Sequence, residues 1–224
     1  MRVIAPLTVT LDSSTAPDSA LTEWSSITTY AVNDDVKLSS TSPPSEWRCI
    51  QAHTNKPPAT NPAYWVQIGV TNPYKCLDST TTTQTTGTTS WSLTLIPPQR
   101  CSHVALFNIE GAAEVTVEIA YLGTTEWTQT YTLGRTDISG TWWEFFFAPA
   151  EYGDSLIQEV PAWHTSDQTV TITVTGDTGA AVSVGHVVLG LGQELGLTIY
   201  EAEIGMQSYS RKDVDTWGNY VLTP

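Results

Sequence analysis

The sequence predicts an all-β protein, a small aromatic-rich domain followed by an antiparallel β-sandwich of the jelly-roll type. Three observations lead there. Only 14% of the 224 residues are charged, while 13 Pro, 15 Gly, 9 Trp and 9 Tyr stand among abundant Thr and Val. β-branched and aromatic side chains suit a pleated, half-buried surface, and Gly and Pro close short segments. No long window carries apolar residues at helical spacing without Gly, Pro or Thr interrupting it, whereas apolar/polar alternation recurs in short runs.

Residues 1–19 read as an N-terminal strand or arm. The alternating run Leu7-Thr8-Val9-Thr10-Leu11 is its strand, free to pair with a distant sheet edge or with another subunit. Residues 20–70 form the aromatic domain, with Trp24, Tyr30, Trp47, Tyr64 and Trp65. Asn33-Asp34-Asp35, Ser42-Pro43-Pro44 and Lys56-Pro57-Pro58 are turn signals, and Val36–Leu38 and Trp47–Ile50 are short strands. So few residues give a shallow core, which large rings must fill.

Residues 71–200 carry the sandwich. The Thr-rich stretch Thr80 to Ser90 reads as an exposed loop or an extended arm. Strands are expected at 91–96, 103–109, 115–121, 128–133, 142–147, 169–175 and 182–190, each closed by a turn. Gly190-Leu191-Gly192 reads as a turn. Residues 201–224 form a C-terminal docking segment.

The first of two resemblances lies in Trp24-Ser25-Ser26-Ile27-Thr28-Thr29-Tyr30-Ala31-Val32-Asn33-Asp34-Asp35-Val36, followed by Trp47, Pro57 and Trp65. This order is similar to that of small chitin- and cellulose-binding modules, with Asp34 taken as the usual turn glycine. The resemblance implies that Trp24, Tyr30 and Trp65 build the module's own core. It also places Gln51-Ala52-His53 where such modules carry a sugar-stacking platform. Tyr64, His53 and Trp47 are the candidate carbohydrate-binding residues.

The second resemblance runs through Thr71-Asn72 and Asp78, the sandwich, and Ser208-Tyr209-Ser210-Arg211-Lys212-Asp213-Val214-Asp215-Thr216-Trp217-Gly218-Asn219. That order, after a small carbohydrate-module-like domain, resembles tail structural proteins of tailed bacteriophages. It implies a tail-tip or baseplate protein of the virion, made in the host cytoplasm. Its partners would be other tail proteins, further copies of itself as a homo-oligomer, and the polysaccharide of the host surface. Tyr209, Arg211, Lys212 and Trp217 are the candidate docking residues. Carbohydrate-binding adhesion and glycan degradation are the alternative functions.

The formal net charge of −14 argues against nucleic acid and anionic lipid as direct partners. No apolar run reaches membrane-spanning length, and Met1 to Pro6 lacks the apolar stretch of a secretion signal. Cys49, Cys76 and Cys101 form no CxxC pair and are an odd number, which reads as buried small hydrophobes rather than a disulfide or metal framework. His53, His103, His164 and His186 never approach ligand spacing, so neither metal nor cofactor is expected. Glu110, Glu114, Glu118, Glu144, Glu151 and Asp154 are scattered, and no paired carboxylates or nucleophile elbow emerge for a hydrolase.

Overall fold

The structure, a computed structural model, describes residues 2–78, 80, 82–133, 154–162, 167–176 and 181–194, and two further strands at 211–214 and 220–223. The expected strand at 142–147, with Glu144, lies outside the described residues, as do Glu151 and His164.

Alternation sets the core. In β9 (Ser90–Ile96), β11 (Ala112–Tyr121) and β14 (Gln168–Gly176) every second side chain is buried. Antiparallel pairing lines these up in three rows, Trp91–Val174–Val115, Leu93–Ile172–Val117 and Leu95–Val170–Ile119. On the opposite face of the same strands, hydroxyls pair, as in Thr94–Thr171 at 3.1 Å and Ser90–Thr175 at 3.2 Å. Cross-strand packing of this kind stabilises a sheet with one face dry and one wet.

With β2 (Thr10–Ser14) on β9 and β12 (Thr124–Thr132) on β11, these strands make one sheet in the order β12-β11-β14-β9-β2. The other sheet runs β1 (Arg2–Pro6), β15 (Ala181–Glu194), β10 (His103–Glu110), β13 (Ser155–Glu159), with β8 (Thr85–Thr88) also on β15. Val104, Leu106, Leu156, Val182, Val184, Val187 and Leu189 bring the second half of the core. The fold is therefore all-β, an antiparallel sandwich carrying a small aromatic module.

From Ile4 onward the N-terminal segment belongs to the sandwich. Its alternation is real as burial, but only its last two residues, Thr10 and Leu11, are strand: Leu7-Thr8-Val9 crosses from one sheet to the other between β1 and β2, and Leu7, Val9 and Leu11 pack on the core. The module occupies the chain between β2 and β8, so the polypeptide leaves the sandwich, folds it, and returns.

Two sequence expectations are corrected here. The Thr-rich stretch contains a strand, β8, because Thr85 and Gly87 alternate into the interior while the edge of β15 supplies a ladder. A Cβ at Gly87 would overlap the Trp91 indole, so this position needs glycine for space. Gly190 and Gly192 lie within β15 rather than in a turn. There Gly190 lets Ile4 and Ala5 approach and Gly192 lies against the His103 ring.

The module is a three-stranded sheet, β4 (Asp35–Leu38), β5 (Ser45–Cys49), β7 (Trp65–Val70), with a short ribbon of β3 (Thr29–Tyr30) and β6 (His53–Thr54). One 3-10 helix, Pro58–Thr60, lies between β6 and β7, and another, Asn72–Leu77, follows β7. Contacts divide the chain into Ile4–Gln193 and a second unit of Met1–Val3 with Glu194–Pro224. In the second unit β16 (Arg211–Val214) pairs antiparallel with β17 (Tyr220–Thr223).

Candidate functional site

The aromatic module is where sequence places recognition, and its geometry turns on where each ring points. Its entry turn is set by Asn33, at φ 74°, and not by Asp34 as the resemblance implies. Asn is among the few non-glycine residues that adopt this left-handed backbone readily. Asp34 instead closes the turn, its carboxylate accepting from the Ala31 N–H at 2.7 Å and its carbonyl from Cys49 N–H at 2.8 Å.

Tyr30, Val36, Cys49 and Trp65 form the buried core, with Trp24, Trp47 and Tyr64 against it. Trp65 is 2% exposed, and its indole N–H donates to the Lys56 carbonyl at 2.7 Å. The Tyr30 hydroxyl accepts from Ser25 N–H at 2.7 Å. Both polar tips are thus satisfied inside the module, as buried Tyr and Trp require.

His53 follows them inward. At 9% exposure its ring lies 5.0 Å from Trp65 and 5.2 Å from Tyr64, edge to face with both, and 5.8 Å from Tyr30. Neither ring nitrogen has a hydrogen-bond partner. Burial, with the Lys56 charge as a smaller contribution, pushes its pKa below the ordinary imidazole value. The platform region Gln51-Ala52-His53 therefore offers no flat ring to solvent: Gln51 and Ala52 are exposed, and the one ring is packed in the core. Trp47 is half-buried, with its N–H on Ser45 Oγ at 2.8 Å. Tyr64 is also half-buried, and the Lys56 ammonium lies 5.6 Å from its ring centroid, a cation–π distance.

What the module exposes is the edge strand β7. Pairing with β5 shifts register between Glu46 and Trp47, so that Trp47 faces Gln67 and Glu46 faces Gly69, leaving Ile68 as an extra residue. Such a bulge breaks alternation. Val66, Gln67 and Ile68 are consequently all exposed, Val66 at 45% and Ile68 at 42%, and Ile50 on the loop after β5 is exposed as well. Across the sheet, Arg48 holds Asp35 through two hydrogen bonds of 2.8 Å, which lower the Asp35 pKa. Sequence reading did not single out Val66 or Ile68, since a bulge has no signature in residue type.

At the return to the sandwich, Asn72 uses its whole side-chain amide. Nδ2 donates to the Pro17 carbonyl at 2.7 Å and to the Thr86 carbonyl at 2.8 Å, while Oδ1 accepts from Thr86 N–H at 3.0 Å. Asp78 organises the Thr-rich segment, accepting from Thr80 N–H and Oγ1 and from Thr83 Oγ1. The Thr71-Asn72 and Asp78 pattern thus marks a junction.

Of the docking candidates, Arg211 and Lys212 lie on β16 opposite Thr223 and Leu222, whereas Tyr209 and Trp217 fall outside the described residues. Among the described residues no three of His, Cys, Asp and Glu gather as a metal site. Cys49, Cys76 and Cys101 are free and buried, and burial raises the thiol pKa of Cys76 and Cys101 to about 11. Glu118 accepts from Thr125 across the β11–β12 pair.

No protein-family model matches this sequence, and no curated protein matches it either. Among solved structures, the chain is similar to chitosan-binding module 1 of a chitosanase/glucanase from Paenibacillus sp. IK-5. Identity there is 16%, over 53% of this chain and 83% of that one, with a TM-score of 0.33. It is also similar to an F5/8 type C domain from Bacteroides fragilis, at 11% identity over 55% and 82% of the two chains and a TM-score of 0.37. A pectin-binding carbohydrate-binding module matches at 10% identity over 52% and 78%, with a TM-score of 0.31. The assignment of the fold rests on the chain's own strand pairing.

Proposed function

We propose that the chain is a structural component of a tailed-bacteriophage particle, at the tail tip or baseplate, working by subunit contact rather than by catalysis. The observation that carries this reading is the module's division of its apolar groups. Its rings go into its own core, and its outermost strand, β7, keeps Val66 and Ile68 in solvent. An edge strand offers unpaired backbone groups, and apolar side chains beside them mark a contact surface. The motif order through Thr71-Asn72, the sandwich and Tyr209 to Asn219 supports the same reading. Its partners are other tail proteins and further copies of the chain, and its place is the virion after synthesis in the host cytoplasm. Mass spectrometry and immunogold labelling of purified particles test it. The chain should copurify with intact tails; its presence in lysate but absence from particles rejects the proposal.

A second reading, recognition of host-envelope glycans, has one observation of its own. Tyr64 remains half-exposed with Lys56 beside it, a ring and a cation suited to an acidic polysaccharide. A tetramerised form applied to a glycan array decides, since multivalency amplifies weak sites. Binding lost in Tyr64→Ala supports this reading, and a blank array removes it.

A further inference from the structure

We infer that the aromatic module and the sandwich form one rigid body, locked at the junction by Asn72 and a buried polar cluster around Glu46. This inference does not rest on the proposed function. Its first ground is covalent. Because the module is inserted between β2 and β8, two chain crossings tether it, at residues 15–19 and 71–78. A single linker leaves torsional freedom between domains, whereas two crossings fixed side by side remove it.

The second ground is that the crossings are fixed side by side. The Asn72 amide spans three pieces of backbone: its own helix, the outgoing crossing at Pro17 and the sandwich strand β8 at Thr86. Its main chain is held as well, N–H to Ser19 Oγ at 2.9 Å and carbonyl to Thr85 Oγ1 at 2.7 Å. Thr85, fully buried, also accepts from Cys76 N–H at 2.9 Å, which binds the end of the same helix to β8.

The third ground is the module's side of the joint. Glu46 on β5 is 8% exposed, yet it accepts from Ser19 Oγ and faces Lys75 Nζ at 3.7 Å. A carboxylate so buried needs partners that stay in place. Those partners come from the outgoing crossing and from the returning helix, one on each. Thr71 N–H on the Pro44 carbonyl, at 3.1 Å, and Lys37 Nζ on Asp18 and the Ser19 carbonyl complete the seam. Rotation of the module would break these contacts together, because Ser19 bonds both Glu46 and Asn72 and so links the module's side of the seam to the sandwich's.

Backbone ¹⁵N relaxation on the full chain tests this. Amides of residues 29–70 and those of β9, β11 and β14 should report the same rotational correlation time. A shorter time for the module in the wild-type protein overturns the inference. Asn72→Ala, or Asn72→Asp should the first not fold, should shorten the module's correlation time while both cores keep their native chemical shifts. If a folded variant retains a common correlation time, Asn72 is not the lock and the inference fails. The wild-type measurement decides the matter of rigidity even if neither variant folds.

Discussion

Asn72 and Thr86 pair as two strand residues would, one donating and one accepting bond between them at 2.8 and 3.0 Å, although Asn72 contributes only its side chain. The amide imitates a peptide group at a place where the helix cannot offer one to β8. Asn72→Asp keeps the acceptor and loses both donors, leaving the Pro17 and Thr86 carbonyls without this partner. It should cost about 1–2 kcal/mol, at the rate of roughly 1 kcal/mol for each bond lost. Urea denaturation followed by tryptophan fluorescence measures it, and an unchanged midpoint would show that the pairing contributes nothing.

Glycines offer a contrast of context at constant chemistry. Gly87→Ala places a methyl against the Trp91 indole, which is itself pinned by its N–H on the Val182 carbonyl at 3.1 Å. Overpacking of this kind costs about 1–3 kcal/mol. Gly69→Ala, on the bulged edge of the module, meets no atom within 4 Å and should change stability by less than about 0.5 kcal/mol. Thermal unfolding of the pair checks both, and equal effects would contradict the packing described.

His53 makes the module sensitive to acid. Its folded pKa is depressed, first by burial and then by Lys56, from an ordinary 6.5. As pH falls, the unfolded chain therefore takes up the proton before the folded one. The contribution of His53 is fully present above about pH 6.5 and is lost between there and its lower folded value. His53→Phe, which replaces two unpartnered nitrogens by carbon, should remove this part of the pH dependence. Urea midpoints at pH 7.5 and 5 for both proteins test it; an identical decline in both would place the effect elsewhere.

The thiols should be silent in the native state. Cys49, Cys76 and Cys101 are all fully buried, and for Cys76 and Cys101 the thiolate is further suppressed by a pKa near 11. Ellman's reagent at pH 8 should find no fast-reacting thiol in the folded protein and three in urea. A rapid native thiol would mean that one of these sites opens easily.

The repeating strands were legible because burial follows residue type: Val115, Val117 and Ile119 alternate with Thr116 and Glu118, and the sheet obeys. Where pairing partners decide, legibility ended. Thr85 and Gly87 are polar or small, and only the waiting edge of β15 makes β8 a strand. Gly190 and Gly192 in β15 resembled a turn because the reason for them, close approach of Ile4, Ala5 and His103, lies far away in sequence. The same limit applied to the site. His53 looked like a surface ring, yet Tyr30, Tyr64 and Trp65 surround it, whereas Val66 and Ile68 were carried outward by a bulge that no residue type announces.

A density map of the assembled particle would show whether the module keeps its rings for itself and meets partners along β7. A neighbouring subunit should lie against Val66 to Ile68, with Trp65 and His53 still enclosed in the module. A map with β7 bare in solvent and a saccharide seated on Tyr64 would contradict it.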